Sequence, residues 1–189
     1  DYGASRNLIM NPSFESGLRY WGFCTFASGI IPLEYSIFYV VDNNEAHSGS
    51  CSLRLRALTL KNPLPLGTFA IPLNANTDYT LSFYAKGNLA SYLTLNVWGR
   101  GLASTPVSRG VAVNNQWQRY TISFKANDRF VSMYFDAQLS TSSGEPEGCI
   151  WIDDIQLEST SAATAFTQAP VAAQLVSAAH GNFLEFGQE

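Results

Sequence analysis

The run Tyr79-Thr80-Leu81-Ser82-Phe83-Tyr84-Ala85-Lys86 decides the fold. Tyr79, Leu81, Phe83 and Ala85 fall on one side and Thr80, Ser82, Tyr84 and Lys86 on the other, the period of a β-strand with one buried face. The same period recurs on both sides of it. Ser52 to Leu60 sets Leu53 and Leu55 against Arg54 and Arg56, and Tyr92 to Trp98 sets Leu93, Leu95 and Val97 against Tyr92, Thr94, Asn96 and Trp98. Gln118 to Lys125 turns Tyr120, Ile122 and Phe124 inward, and Phe130 to Gln138 turns Val131, Met133 and Phe135 inward beneath Ser132, Tyr134 and Asp136. Between these runs lie turn chemistries such as Asn62-Pro63-Leu64-Pro65, Asn74 to Asp78, Lys86-Gly87-Asn88, Asn114-Asn115 and Ser140 to Gly148. Many short strands, regular turns and no amphipathic helix before Ser159 predict an all-β fold, an antiparallel β-sandwich of the jelly-roll type.

Composition narrows the function. The chain has 189 residues, 46% hydrophobic, 13% aromatic and only 14% charged, which suits one globular core with many half-buried strands. A formal charge of -4 with scattered Lys and Arg offers no patch for a phosphate backbone, so no nucleic-acid partner is expected. No apolar run approaches the roughly 20 residues that span a bilayer, and no membrane partner is expected. The start at Asp1-Tyr2-Gly3 lacks a signal-sequence pattern, consistent with a removed signal or an internal segment of a longer polypeptide. Cys24, Cys51 and Cys149 have no CxxC spacing for zinc; they allow at most one disulfide, or serve as small buried hydrophobes. His47 and His180 are the only histidines, and no nucleophile-elbow motif or phosphate loop accompanies them. Glycoside hydrolysis needs two carboxylates across a cleft. Asp136 with Glu34, Glu45, Glu145 or Glu147 carries no recognisable catalytic motif, so the chain is expected not to be an enzyme.

Two stretches far apart in sequence belong together: Asn7-Leu8-Ile9-Met10-Asn11-Pro12-Ser13-Phe14-Glu15 and Trp151-Ile152-Asp153-Asp154-Ile155-Gln156-Leu157-Glu158. Each places a carboxylate beside apolar strand residues, where an unpaired charge is costly and a divalent cation would offset it. With His47-Ser48-Gly49-Ser50 between them, this arrangement resembles the carbohydrate-binding modules of families four, nine, sixteen and twenty-two, over Asn7 to Glu158. The resemblance implies a galactose-binding-domain-like sandwich and a structural calcium held by Glu15 and Asp153, with backbone carbonyls from Asn11, His47 and Ser50. The alternative is that these carboxylates pair with Arg or Lys or cap turns.

Aromatic rings suit the C–H face of a pyranose, and neighbouring polar groups bond its hydroxyls. The outward residues Tyr84, Tyr92, Trp98 and Tyr134, with Asn96 and Asp136, are the candidate carbohydrate-binding set, provided that their strands share one sheet. In some relatives the pattern of Tyr followed two residues on by an acidic residue contacts sugar, and Tyr134 and Asp136 reproduce it. Trp21, Trp117 and Trp151 resemble core positions. A second candidate is a rim of Tyr20, Phe23, Phe26, Tyr35, Phe38 and Tyr39. Arg54 and Arg56 are either partners for a uronic acid or solvated strand residues.

The expected organisation is a carbohydrate-binding sandwich over 1–158, a Ser/Thr/Ala-rich linker over 159–170 and a C-terminal tail over 171–189. The tail reads either as an Ala-rich helix or as a strand and is similar to the start of a following immunoglobulin-like domain. The resemblance implies an extracellular or cell-surface module that binds a poly- or oligosaccharide and targets a glycoside hydrolase domain in the same polypeptide; the alternative function is a spacer that keeps the sandwich and calcium but binds no sugar.

Overall fold

A computed structural model of the chain describes residues 7–23, 39–58, 66–89, 93–100, 107–139 and 147–168. Among them are the strands β1 (Trp21–Phe23), β2 (Tyr39–Asp42), β3 (Ser52–Leu58), β4 (Leu66–Thr68), β5 (Ile71–Pro72), β6 (Asp78–Gly87), β7 (Leu93–Arg100), β8 (Val107–Ala112), β9 (Gln118–Lys125), β10 (Phe130–Leu139) and β11 (Glu147–Glu158). They form two antiparallel sheets. The front sheet runs β1-β4-β10-β7-β8, with β5 also on β10, and the back sheet runs β2-β3-β11-β6-β9. The inward residues of the alternating runs meet between them: Leu53, Leu55, Leu81, Phe83, Leu95, Val97, Met133 and Phe135 are completely buried. Phe83 of the back sheet meets Phe135 of the front sheet edge to face, with centroids 5.6 Å apart, a favourable aromatic geometry. Trp21 joins this core against Phe14 at 4.9 Å and Phe135 at 6.1 Å.

The expectation of a core position fails for Trp117 and Trp151, both only half-buried. On β11 the inward positions belong to Ile150 and Ile152, so Trp151 points out, level with Arg54 on β3 and Lys86 on β6. Its indole N–H donates to Asp42 at 2.9 Å. The Lys86 ammonium lies over both indoles, 5.4 Å from the Trp151 ring and 5.6 Å from the Trp117 ring, while pairing with Glu45. Cation–π contact and the lysine stem cover these rings where a second apolar layer would otherwise be needed.

The segment 159–170, read as a linker leaving the sandwich, instead lies along it as far as the described residues extend, to 168. Thr164 N and Oγ1 both donate to the Glu158 carboxylate at 2.8 Å, and Thr167 N donates to Gln156 Oε1 at 2.9 Å. Arg119 reaches the Thr164 carbonyl, and Thr80 the Thr160 carbonyl. This strap explains why Thr80, Ser82, Gln156 and Glu158, all on the outer side of the back sheet, are completely buried. Asn7 completes the attachment. Its side chain donates to the carbonyls of Ile155 and Thr167 and accepts from the amides of Ile9 and Leu157. The tail 171–189 lies outside the described residues.

A chain ended after Glu158 should therefore be less stable than one ended after Gln168, because the buried Gln156 and Glu158 groups lose their partners. Urea unfolding of the two chains checks this, with a loss of roughly 2–4 kcal/mol expected.

Candidate functional site

Cross-strand register assembles the outer face of the front sheet. Trp98 on β7 is paired with Tyr134 on β10, and Asn96 with Asp136. Direct partners in an antiparallel pair point to the same face, so these four side chains share one surface. The Trp98 and Tyr134 rings lie 5.9 Å apart, tilted by 34°. Tyr134 is also level with Gly67 on β4, where a Cβ atom would collide with its ring. Glycine at that position lets the tyrosine lie down over the neighbouring strand, as aromatic rings commonly do over strand glycines.

Asp136 is the buried polar member of this face, 4% exposed. Hydrogen bonds from the Asn96 and Gln138 side chains favour its ionised form, but burial outweighs them and pushes its pKa up to about 6. Its Oδ1 is buried and has no hydrogen-bond partner among the described residues. A carboxylate oxygen held in this way beside two aromatic rings is an acceptor suited to a ligand hydroxyl. Burial, followed by the nearby Asp136 charge, raises the pKa of the Tyr39 hydroxyl.

Tyr84 does not belong to this group. It sits on β6 in the back sheet, so the expectation of one groove containing Tyr84 and Trp98 is corrected by the strand order. Its ring stacks on His47 at 3.5 Å with Arg119 above it at 5.8 Å. Tyr92 lies outside the described residues, as do Phe26, Tyr35 and Phe38 of the aromatic rim. Tyr39 of that rim is buried. Cys51 and Cys149 are not joined to each other by a disulfide, and Cys24 lies outside the described residues.

Four of the five expected metal residues, Glu15, His47, Ser50 and Asp153, meet at one loop. Glu15 Oε1 accepts from the amides of Ser50 at 2.7 Å and Cys51 at 3.0 Å; Asp153 Oδ2 accepts from those of His47 at 2.8 Å and Ser48 at 3.1 Å. Gly49 lies between the two attachments with φ +65°, where a Cβ would run into the Glu15 carboxylate. Asp154 faces the same loop, accepting from Ser48 Oγ at 2.6 Å and contacting His47 Nδ1 at 2.7 Å. Asp153 is completely buried, and burial together with the Asp154 charge pushes its pKa up to about 7. Asn11 points elsewhere: its carbonyl takes the Trp21 indole N–H and the Phe14 amide, and its side chain binds the turn at Ser16, Gly17 and Arg19.

A family model described as Carbohydrate binding domain matches residues 6–144. The chain belongs to that family. No curated protein sequence matches it. Solved structures share the fold. A family 61 carbohydrate-binding module in complex with β-1,4-galactotriose is 16% identical, with a TM-score of 0.57 over 82% of this chain and 100% of that one. A family 4 module is 15% identical, with a TM-score of 0.52 over 78% and 100%. The Clostridium thermocellum xylanase 10B structure, a family 22 module with its family 10 catalytic module complexed with xylohexaose, is 11% identical, with a TM-score of 0.56 over 87% of this chain and 30% of that one.

In this carbohydrate-binding domain the two outer faces differ. The rings of the back sheet are occupied by cations and by His47, whereas Trp98 and Tyr134 contact each other beside a buried acceptor. The family is non-catalytic.

The raised Asp136 pKa has a stability consequence. The folded protein holds this proton more tightly than the unfolded chain, so the contribution is greatest below about pH 4 and is lost as pH rises towards about 6. Between pH 4 and pH 7 the wild type should lose on the order of 1–3 kcal/mol relative to Asp136→Asn, measured by parallel urea titrations.

Proposed function

We propose that the outer face of the front sheet is the carbohydrate platform, with Trp98 and Tyr134 stacking on sugar rings and Asn96 and Asp136 bonding hydroxyls. The observation that carries this reading is the register that sets Tyr134 beside Trp98 and Asp136 beside Asn96. Stacking on a few rings and bonding through wet hydroxyl contacts favour modest affinity, roughly micromolar to millimolar. Attachment to a glycoside hydrolase domain in the same polypeptide, outside the cell or at its surface, would raise the effective concentration at an insoluble polymer. Affinity gel electrophoresis against β-1,4-galactan, xylan, β-glucan and mannan tests the reading. Retardation by at least one polymer is expected, with about tenfold weakening in Trp98→Ala and in Tyr134→Ala. A folded wild type retarded by none of them would identify a spacer.

The structural calcium belongs to the same proposal. Glu15 and Asp153 approach one loop from either side of Gly49, and the buried Asp153 carboxylate beside Asp154 is the kind of charge that a hard divalent cation stabilises. Among the described residues no three His, Cys, Asp or Glu side chains are grouped to hold a metal, so the remaining ligands would be loop carbonyls from the His47 to Ser50 segment. His47 and Ser50 present amide N–H groups to the carboxylates here, and Asn11 is committed to its own turn. Calcium should raise the melting temperature, reversed by chelator, and the rise should be absent in both Glu15→Gln and Asp153→Asn. An unchanged melting temperature in the wild type would remove calcium from the account.

A further inference from the structure

Asp136 is a buried carboxyl group on a face that sets it beside rings and amides. We propose that Asp136 makes binding on the front face proton-linked: its ionised carboxylate accepts a ligand hydroxyl, and binding sends the proton that the free protein holds there to the solvent. This rests on the sugar-binding reading of that face and adds the control of its affinity by pH.

The carboxyl group is prepared as an acceptor before any ligand arrives. Asp136 is 4% exposed, and its Oδ1 is buried with no hydrogen-bond partner among the described residues. Side-chain hydrogen bonds from Asn96, directly across on β7, and from Gln138, two residues along β10, favour the ionised form. A buried carboxylate oxygen without a donor is costly, and in the free protein a proton relieves that cost. A hydroxyl donating to Oδ1 relieves it as well, through a charge-assisted hydrogen bond. Because water is already excluded from this oxygen, the ligand brings a donor and little further desolvation. Gln138 shares the face and is exposed, so its amide can swing outward and open the carboxylate to the ligand. Proton and hydroxyl therefore compete for one acceptor.

The neighbours leave the titration to this group. On its own strand and face Asp136 is flanked by Tyr134 and Gln138; β7 presents Thr94, Asn96 and Trp98, and β8 presents Gly110. Arg100 stands further along β7, level with Ser132 rather than with Asp136. From the back sheet, Tyr39 on β2 feels the Asp136 charge, and burial followed by that charge opposes ionisation of its phenol. Tyr39 thus stays neutral while the carboxyl, held by burial at about 6, gains and loses its proton. Roughly nine-tenths of free sites carry the proton at pH 5 and roughly one-tenth at pH 7. A bound carboxyl returned to the ordinary range, about 4, makes affinity about tenfold weaker at pH 5 than above pH 7.

Calorimetric titrations at pH 5, 6 and 7.5 would use four-unit oligosaccharides of β-1,4-galactan, xylan, β-glucan and mannan, at constant calcium. Asp153 on the back sheet also titrates in this range, so each pH is repeated with Asp136→Asn, which retains Asp153. Wild-type affinity should rise about tenfold from pH 5 to pH 7.5, and Asp136→Asn, at whatever affinity it keeps, should bind equally at all three. Heats measured at pH 6 in two buffers of different ionisation enthalpy should show about half a proton released per wild-type site. Carbon-13 NMR of the wild-type Asp136 carboxyl decides the matter even where the variant binds too weakly to measure: its titration midpoint should fall when ligand saturates the protein. A midpoint that stays in place, affinity that is flat or rises towards pH 5, or the wild-type pH profile retained in Asp136→Asn overturns the proton link. If binding is flat with pH yet weakened in Trp98→Ala, the sugar face stands without the link. Failure of the wild type to bind any of these sugars at any of the three pH values, or any polymer of the gel panel, overturns both readings.

Discussion

Two carboxylates holding one short loop are the constraint on which the rest of the sandwich depends. Asp153 grips the amides of His47 and Ser48, Glu15 grips those of Ser50 and Cys51, and Gly49 turns between them. Charge-assisted bonds from backbone amides are strong, and those to Asp153 join residues that are over 100 positions apart in the chain. The loop leads into β3, Glu15 belongs to the opening segment, and Asp153 marks the end of β11's pairing with β3. Beyond that point β11 bulges, with Asp154 at φ +50°, and the opening segment takes over its edge: Pro12 O accepts from Ile155 N and Leu157 O from Leu8 N. The first and last parts of the sandwich are thus locked at one place, where buried Asp153 and Asp154 create the demand for compensating charge.

That lock leaves the two sheets with different duties. The back sheet is covered: part of its outer side lies under the strap to 168, and the Arg54, Trp151, Lys86 and Trp117 row carries interleaved cations. The front sheet is built around Gly22, Gly67 and Gly110, positions where a missing side chain brings a neighbour's ring or amide onto the sheet surface. Aromatic rings already held against a sheet would need little reordering at a ligand, which is why the proposed sugar platform is placed on this face.

The alternating strands were readable because one-face burial imposes a period of two, and β6, β9 and β10 lie where that pattern puts them. Alternation says which residues share a face of one strand; it does not say which strands share a sheet. Tyr84 and Trp98 look equivalent in sequence but are separated by the strand order. Trp151 stands in the unbroken apolar run Ile150-Trp151-Ile152, which hides its outward direction, and only the pairing with Arg54 and Lys86 reveals it. The Ser/Thr/Ala composition after Glu158 looks like a linker because the same small polar residues serve as partners for buried Gln156 and Glu158.

The division between a covered back sheet and a receptive front sheet is tested most directly by mapping backbone amide shifts by NMR while a bound oligosaccharide is titrated. The account predicts that the largest changes fall at Gly67, Asn96, Trp98, Tyr134 and Asp136. Changes concentrated at Arg54, Lys86, Trp117 and Trp151, with the front sheet silent, would contradict it.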